Sequence, residues 1–358
     1  MTIADLELIT IPCPICGSDR DRPLCVARDY VYSVPGEFRF VRCEACGHVF
    51  LNPRPSDASL LACYPASYGP HLGASPSSSE LAPRRPGWKR SLGTVTGLRR
   101  LLRYLGDERA TVLPAPPQPG ESRMLEIGCA HGGFLERAAA LGWIVDGIEP
   151  SEAAAAQAER RGIPVFVGRL DQAELAPQSR DCIASWMVLE HVPDPLAFLS
   201  LAHRTLTPGG VLAVSVPNAA SLERWMFGRY WQGYDPPRHL QVFSASELRR
   251  VLHRVGFSEV QVIYQAGIRD SYAGLAAWGM AHFPQARWPR RLMEIFRGET
   301  PRWLHWISLL PARLLAVSGL AGRITVVAVR PRNTVAGTAA ENRFEASPVG
   351  FDAVGSGD

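Results

Sequence analysis

From Arg123 to about Val262 short apolar runs alternate with amphipathic stretches, the pattern of strands and helices that feed a parallel sheet. Met124 to Ile127 predicts a first strand, then a glycine-containing turn and a helix from Phe134 to Leu141 closed by Gly142. Trp143 to Ile148 predicts the second strand. Ser151 is placed to cap an alanine-rich helix ending near Gly162, with Glu152 in its first turn, where a negative charge favours the helix dipole. Pro164 to Val167 and Cys182 to Met187 predict strands three and four. Asp194 and Pro195 start a helix that runs through Leu206, and Pro208-Gly209-Gly210 turns the chain into a fifth strand, Val211 to Val216. Ser244 and Glu247 read as a capping box for a helix ending near Gly256, and Val260 to Ile263 and Ile324 to Val329 bring the count to seven strands.

The flanks lack this alternation. Residues 10–50 hold paired cysteines, and residues 51–119 form a linker and helical segment rich in proline, serine and arginine, stiffened by Pro114, Pro116, Pro117 and Pro119. The principal domain is expected over 120–332, with 270–322 as a helical cap insertion between strands six and seven, carrying Trp, Leu and the arginines Arg287, Arg290, Arg291, Arg297, Arg302 and Arg313. Residues 333–358 are small and polar without apolar periodicity and read as a disordered tail.

Length and composition agree with a large domain plus a small one: 358 residues, 46% hydrophobic and 20% charged. A net charge of +4 does not by itself demand a nucleic-acid partner. Asp5 and Glu7 stand where a secretory signal carries basic residues, so a cytoplasmic location is expected. The most apolar late stretch, Trp303 to Leu320, is broken by His305, Pro311 and Arg313 and does not read as a membrane span.

Of eight cysteines, four fall into two like knuckles, Cys13-Pro14-Ile15-Cys16-Gly17 and Cys43-Glu44-Ala45-Cys46-Gly47. Two intervening residues put both sulfurs on one side of a tight turn, and the following glycine lets backbone amides face the thiolates. In a reducing compartment such a set predicts structural zinc rather than disulfides, because four thiolates leave no open coordination position. The pattern resembles a zinc ribbon.

Glu126-Ile127-Gly128-Cys129-Ala130-His131-Gly132-Gly133 falls between the first strand and its helix. Small residues at Gly128, Ala130 and Gly132 let a nucleotide-like cofactor approach the backbone. Glu149, ending the second strand about twenty residues on, can accept hydrogen bonds from a ribose diol. This turn, Glu149-Pro150-Ser151, the run Asp181-Cys182-Ile183-Ala184-Ser185-Trp186-Met187-Val188-Leu189-Glu190-His191-Val192 and Leu206-Thr207-Pro208-Gly209-Gly210 together resemble the class I S-adenosylmethionine-dependent methyltransferases. The resemblance implies an α/β, Rossmann-like seven-stranded sheet whose last strand is antiparallel. It implies Glu126 and the Gly128–Gly132 backbone for the methionine part of S-adenosylmethionine, Glu149 for the ribose, and Leu170 and Asp171 for the adenine. Ala130 departs from the family, whose members usually carry glycine there; one added methyl is expected to leave binding in place.

A sulfonium methyl is already electrophilic, so the protein has to align a nucleophile and take its proton. The candidates are His191, after strand four, and His239, in Tyr234-Asp235-Pro236-Pro237-Arg238-His239-Leu240, with Tyr234 and Arg238 beside it. The cysteine module, the Asn52-Pro53-Arg54-Pro55-Ser56 segment with Tyr64 and Tyr68, and the Arg238-His239 segment resemble a bacterial subgroup acting on sugars, glycolipids or secondary metabolites. Related sugar C-methyltransferases carry two histidines around an acidic residue where Pro237-Arg238 stands here, which points to oxygen as the acceptor. Two readings compete. An RNA base methyltransferase would use the basic stretch Arg84, Arg85, Lys89, Arg90, Arg99, Arg100 and Arg103; a non-catalytic scaffold would have a cofactor pocket degraded at Ala130. The cap helices also suggest peripheral contact with the inner membrane face for a lipid-linked acceptor.

Overall fold

The structure, a computed structural model, describes residues 6–65, 68, 115–298 and 301–332. The basic stretch from Arg84 to Arg103, most of the 51–119 segment and the 333–358 tail lie outside the described residues.

The amino-terminal part is β-structure. A short strand β1 (Leu8–Ile9) pairs antiparallel with β5 (Arg54–Pro55), and β2 (Asp21–Ala27), β3 (Phe38–Cys43) and β4 (Val49–Leu51) form an antiparallel meander. In β3 Phe38 and Phe40 are buried in one apolar core and Val41 in another, so both faces of the strand are partly covered, while Arg39 is exposed. A single helical turn, α1 (Asp57–Leu60), capped by Ser56, follows β5.

The central part follows the predicted order: β6 (Arg123–Ile127), α2 (Gly133–Ala140), β7 (Ile144–Glu149), α3 (Glu152–Glu159), β8 (Val165–Val167), β9 (Arg180–Trp186), α4 (Pro195–Thr205) and β10 (Leu206–Pro217). The caps are those expected. Ser151 Oγ accepts from Ala154 N and Asp194 Oδ1 from Ala197 N, with Pro195 in the first turn. Then come α5 (Leu222–Phe227), β11 (Gln241–Val242), α6 (Ala245–Val255) with its Ser244–Glu247 capping box and left-handed Gly256, and β12 (Ser258–Tyr264). Three helices, α7 (Arg269–His282), α8 (Trp288–Arg297) and α9 (Arg302–Val317), separate β12 from β13 (Arg323–Val329). Two boundaries differ from expectation. The fifth strand of the main sheet starts at Leu206, which pairs with Arg180 before a register shift across Pro208-Gly209-Gly210 brings Val211 opposite Cys182. The alanine-rich helix ends at Glu159 rather than near Gly162.

The main sheet has the order β12-β13-β10-β9-β6-β7-β8, with β13 antiparallel to both neighbours and β10, β9, β6, β7 and β8 parallel. This is the doubly wound, Rossmann-like α/β arrangement, and its strand order reverses between β6 and β9. Cys182 to Trp186 of β9 are all buried, as expected of a parallel strand covered on both faces.

The cysteine module does not stand apart from this sheet. β11 pairs antiparallel with β4, Gln241 opposite Phe50 and Val242 opposite Val49, so the module's sheet takes its fourth strand from the segment after β10. Cys13, Ile15, Val41 and Phe50 also share one apolar core with Leu125, Ile127, Phe243 and Leu248. On the far side, Ile307, Leu310, Leu314 and Val317 of α9 are exposed, and no described helix is long and apolar enough to cross a membrane.

Candidate active site

The turn after β6 is built on left-handed backbone. Gly128 (φ +75°) and Gly132 (φ +80°) flank Ala130, which takes φ +47° despite its side chain. A Cβ on Gly128 would lie 2.4 Å from Val188 Cγ2, and one on Gly132 would lie 2.7 Å from Ile163 Cδ1, so both positions require glycine. The amides of Gly128 and Cys129 donate to Ile148 O at the end of β7 (2.8 and 3.2 Å). Glu149 completes the edge: Oε2 accepts from Ala130 N and Oε1 from Ser151 N, both at 2.9 Å. Burial raises its pKa, and these two amides pull it back toward the ionised form.

The residues fit the cofactor that the sequence suggested. A carboxylate has about four lone-pair positions, so two amide bonds are compatible with a ribose diol as a further donor pair. Glu126 ends buried in β6 beside this turn, and Leu170 is buried in the turn after β8. Asp171 is exposed, its carboxylate held by Arg169 Nε and Nη2 (3.0 and 3.2 Å). The structure thus gathers Glu126, Gly128, Ala130, Gly132 and Glu149 at the carboxyl ends of β6 and β7, where open α/β sheets bind ligands. Asp171 stands at the surface in an ion pair.

Val188, the neighbour of Gly128, leads directly into Leu189-Glu190-His191, a turn entered through Met187 at φ +57°. Leu240 N donates to Glu190 O, and Leu51 N donates to Leu240 O, each at 2.8 Å. Gln241 Nε2 donates to the carbonyls of Leu189 (3.3 Å) and Val192 (2.5 Å). The His239 segment is therefore clamped between the end of β9 and the module strand β4.

Here the two histidines meet, their rings 4.6 Å apart and at 80°. His191 Nδ1 lies 2.8 Å from Tyr64 Oη and 3.1 Å from Arg238 O, and His239 Nδ1 donates to Gly233 O at 2.9 Å. His239 Nε2 faces Glu190 Oε1 at 4.0 Å and Asp235 Oδ2 at 3.9 Å. Glu190 is wholly buried and, among the described residues, neither of its oxygens has a hydrogen-bond partner. Burial pushes its pKa up to about 8, and burial with the neighbouring His239 pushes His191 down to about 3. Burial also lowers His239, so both imidazoles are neutral near pH 7.

Arg238 holds the segment in place. Its guanidinium, fully buried, donates from Nε and Nη2 to Asp235 (2.9 and 2.7 Å) and from Nη1 to Asp29 (2.9 Å). Although burial opposes its ionisation, Asp235 is kept at about 2 by this partner. Arg238 is thus a positioning residue. The hydroxyl of Tyr234, the other candidate at the reaction, accepts from Arg224 Nε at 2.9 Å and its ring packs on Phe40, 4.5 Å between centroids. Glu190, Asp235 and Tyr64 were not among the expected site residues. Glu190 stood beside His191 in the quoted motif, but its burial without a partner depends on the β11–β4 pairing.

The four cysteine sulfurs converge, Cys13 on Cys46 at 3.6 Å and Cys16 on Cys43 at 3.5 Å. Four sulfurs about 2.3 Å from one tetrahedral ion lie about 3.8 Å apart, so the donor set fits a metal held by thiolates. Gly17 N donates to Cys13 O and Gly47 N to Cys43 O, the two knuckle turns. His48 Nδ1, beside the second knuckle, meets Glu247 Oε1 at 2.5 Å and Arg254 donates to Ile15 O at 2.7 Å, which ties the cluster to α6.

Residues 98–262 match a family model described as a methyltransferase domain. A Mycolicibacterium smegmatis protein named a probable S-adenosylmethionine-dependent methyltransferase is 31% identical over 156 residues, 41% of this chain and 57% of that one. A ubiquinone biosynthesis O-methyltransferase of Saccharophagus degradans is 32% identical over 124 residues, 33% of this chain and 52% of that one. The chain spans about half the length of these curated relatives. Among solved structures, a SAM-dependent methyltransferase of Thermotoga maritima is 21% identical, with a TM-score of 0.43 over 64% of this chain and 88% of that one.

Proposed function

We propose that the chain is an S-adenosylmethionine-dependent methyltransferase and that it methylates a small-molecule, sugar or glycolipid acceptor on a hydroxyl oxygen, a reading that the methyltransferase-domain match over 98–262 supports. One observation carries this reading: the cofactor turn and the Glu190-His191-His239 cluster share one edge of the sheet, joined through the Gly128–Val188 contact. S-adenosylmethionine, when bound, supplies an electrophilic methyl on a sulfonium. Glu126 and the Gly128–Gly132 turn hold its methionine part and Glu149 its ribose; Leu170 covers the adenine and Asp171 stands at its rim. The acceptor hydroxyl binds at the cluster, where His191 and His239 are neutral, and loses its proton there. The ubiquinone O-methyltransferase name among the relatives supports oxygen as the acceptor.

The four cysteines hold structural zinc in this reading, and the ion stiffens the module that carries β4. A lipid-linked acceptor would be met through peripheral membrane contact of the exposed α9 face. The basic stretch that favoured RNA lies outside the described residues. At Ala130, on which the scaffold reading rested, the amide still bonds Glu149.

The test is methylation with 13C-methyl-labelled cofactor in an extract separated into small-molecule, lipid and RNA fractions, with the product read by NMR. A new methyl in the O-methyl region of the small-molecule or lipid fraction is expected. A methyl on carbon, or one confined to RNA, overturns the assignment.

A further inference from the structure

We infer that Glu190, His191 and His239 form a divalent-cation site beside the methyl acceptor, separate from the four-cysteine cluster. This deepens the methyltransferase reading and rests on it for the role of the ion, though not for the site itself.

The argument starts from tautomers. A carbonyl oxygen only accepts, so Nδ1 of His239, 2.9 Å from Gly233 O, carries the ring proton. His191 Nδ1 lies 3.1 Å from Arg238 O and 2.8 Å from Tyr64 Oη; with the Tyr64 oxygen accepting, its proton also sits on Nδ1. Each neutral ring is left with a lone pair on Nε2. Hydrogen bonding of Nδ1 to a carbonyl is also the usual outer partner of a metal-binding histidine. His239 Nε2 and Glu190 Oε1 face each other across 4.0 Å with no hydrogen bond between them. Glu190 is wholly buried, and among the described residues neither oxygen has a hydrogen-bond partner. A shared proton would need the two atoms about 2.6–3.2 Å apart, whereas two ligands about 2.0–2.2 Å from one metal ion stand roughly 3–4 Å from each other. One ligand atom from each of the three residues lies within 4.8 Å of the others. Asp235 Oδ2, 3.9 Å from His239 Nε2, is the other acid facing this point, and Arg238 already holds it.

Two imidazoles and one carboxylate suit Mn2+, Fe2+, Co2+ or Zn2+ and leave coordination positions open. The acceptor hydroxyl would fill one of these and lose its proton to solvent more readily. Its oxygen then forms a bond to the methyl carbon while the carbon–sulfur bond breaks, with that electron pair staying on sulfur as the neutral thioether. The four cysteines are soft and closed, so Mn2+ distinguishes the two sites.

The experiment uses the full chain with its cysteine cluster loaded with zinc, titrated with Mn2+ and followed by loss of the free-ion EPR signal. Saturable binding of one Mn2+ per chain is expected, weakened at least tenfold in both Glu190→Gln and His239→Gln. Circular dichroism and the thermal shift produced by S-adenosylmethionine report that each variant folds. Absence of saturable Mn2+ binding, or wild-type binding in either variant, overturns the site even where S-adenosylmethionine binds and the methyltransferase reading stands. Mn2+ binding that both substitutions weaken, in a chain that does not bind S-adenosylmethionine, supports the site and removes the methyltransferase reading instead.

Discussion

Single residues at this site are held in conformations that cost free energy. Ala130, Met187 and Asp235 all have positive φ, and they lie in the three loops that meet at the carboxyl end of the sheet. Ala130 can be compared directly with its neighbour Gly132. A left-handed alanine costs about 1–2 kcal/mol in the folded chain, and replacing it with glycine gives back about 0.4–1 kcal/mol of unfolded-state entropy. Ala130→Gly is therefore expected to raise stability by about 0–1.6 kcal/mol. Gly132→Ala forces a methyl against Ile163 and Ala158 and should cost about 1–3 kcal/mol and weaken cofactor binding at least tenfold. Denaturant melts and calorimetric titration with S-adenosylmethionine check both, and equal behaviour of the two variants would contradict the turn geometry. Both positions were legible in the sequence as small residues after a strand, but the strain at Ala130 was not, because φ depends on where the turn has to lead.

At the scale of elements, the β4–β11 pairing links the cysteine cluster to the chemistry. Treating the zinc-loaded chain with a chelator, or the substitution Cys43→Ser, should loosen β3 and β4 and with them the Leu240–Phe243 segment that bonds Glu190. Amide hydrogen exchange is expected to rise at residues 240–243 as well as in the module; protection unchanged at 240–243 would mean that the module does not position the site. A second joint lies where α5, α7 and β13 meet. Glu223 is buried there against Asp270, which Arg323 holds by two bonds of 2.7 and 2.8 Å, and it accepts from Ser271 Oγ. Burial, and then the charge of Asp270, raise its pKa from about 4.5 to about 7. The folded chain keeps this proton where the unfolded chain has lost it, so stability falls as pH rises from about 4.5 to 7. Glu223→Gln should abolish a loss on the order of 2 kcal/mol, seen by comparing urea melts at pH 5 and pH 8; parallel losses in both proteins would show that Glu223 is not its source.

Over the whole molecule, what could be read in advance was local. Apolar runs, caps and glycine turns placed the seven strands of the main sheet and their order along the chain, because hydrogen-bond periodicity and cap chemistry act over a few residues. The two cysteine knuckles and the cofactor turn were equally legible, since each packs its chemistry into fewer than ten residues. The cysteine module looked like a separate unit of 10–50 for the same reason: nothing in Gln241-Val242 announces a partner in β4, and a two-residue strand has no period to detect. The pairing of Gln241 with Phe50, 191 positions away, is what only the fold decides. It packs Tyr234 against Phe40 and brings Glu190, His191 and His239 from two loops to one point. Sequence alone therefore determined the sheet, the cofactor turn and the thiolate cluster, which are short-range matters of spacing. The tertiary structure decided the Glu190-His191-His239 cluster, because burial and the meeting of two loops exist only once distant segments are packed together.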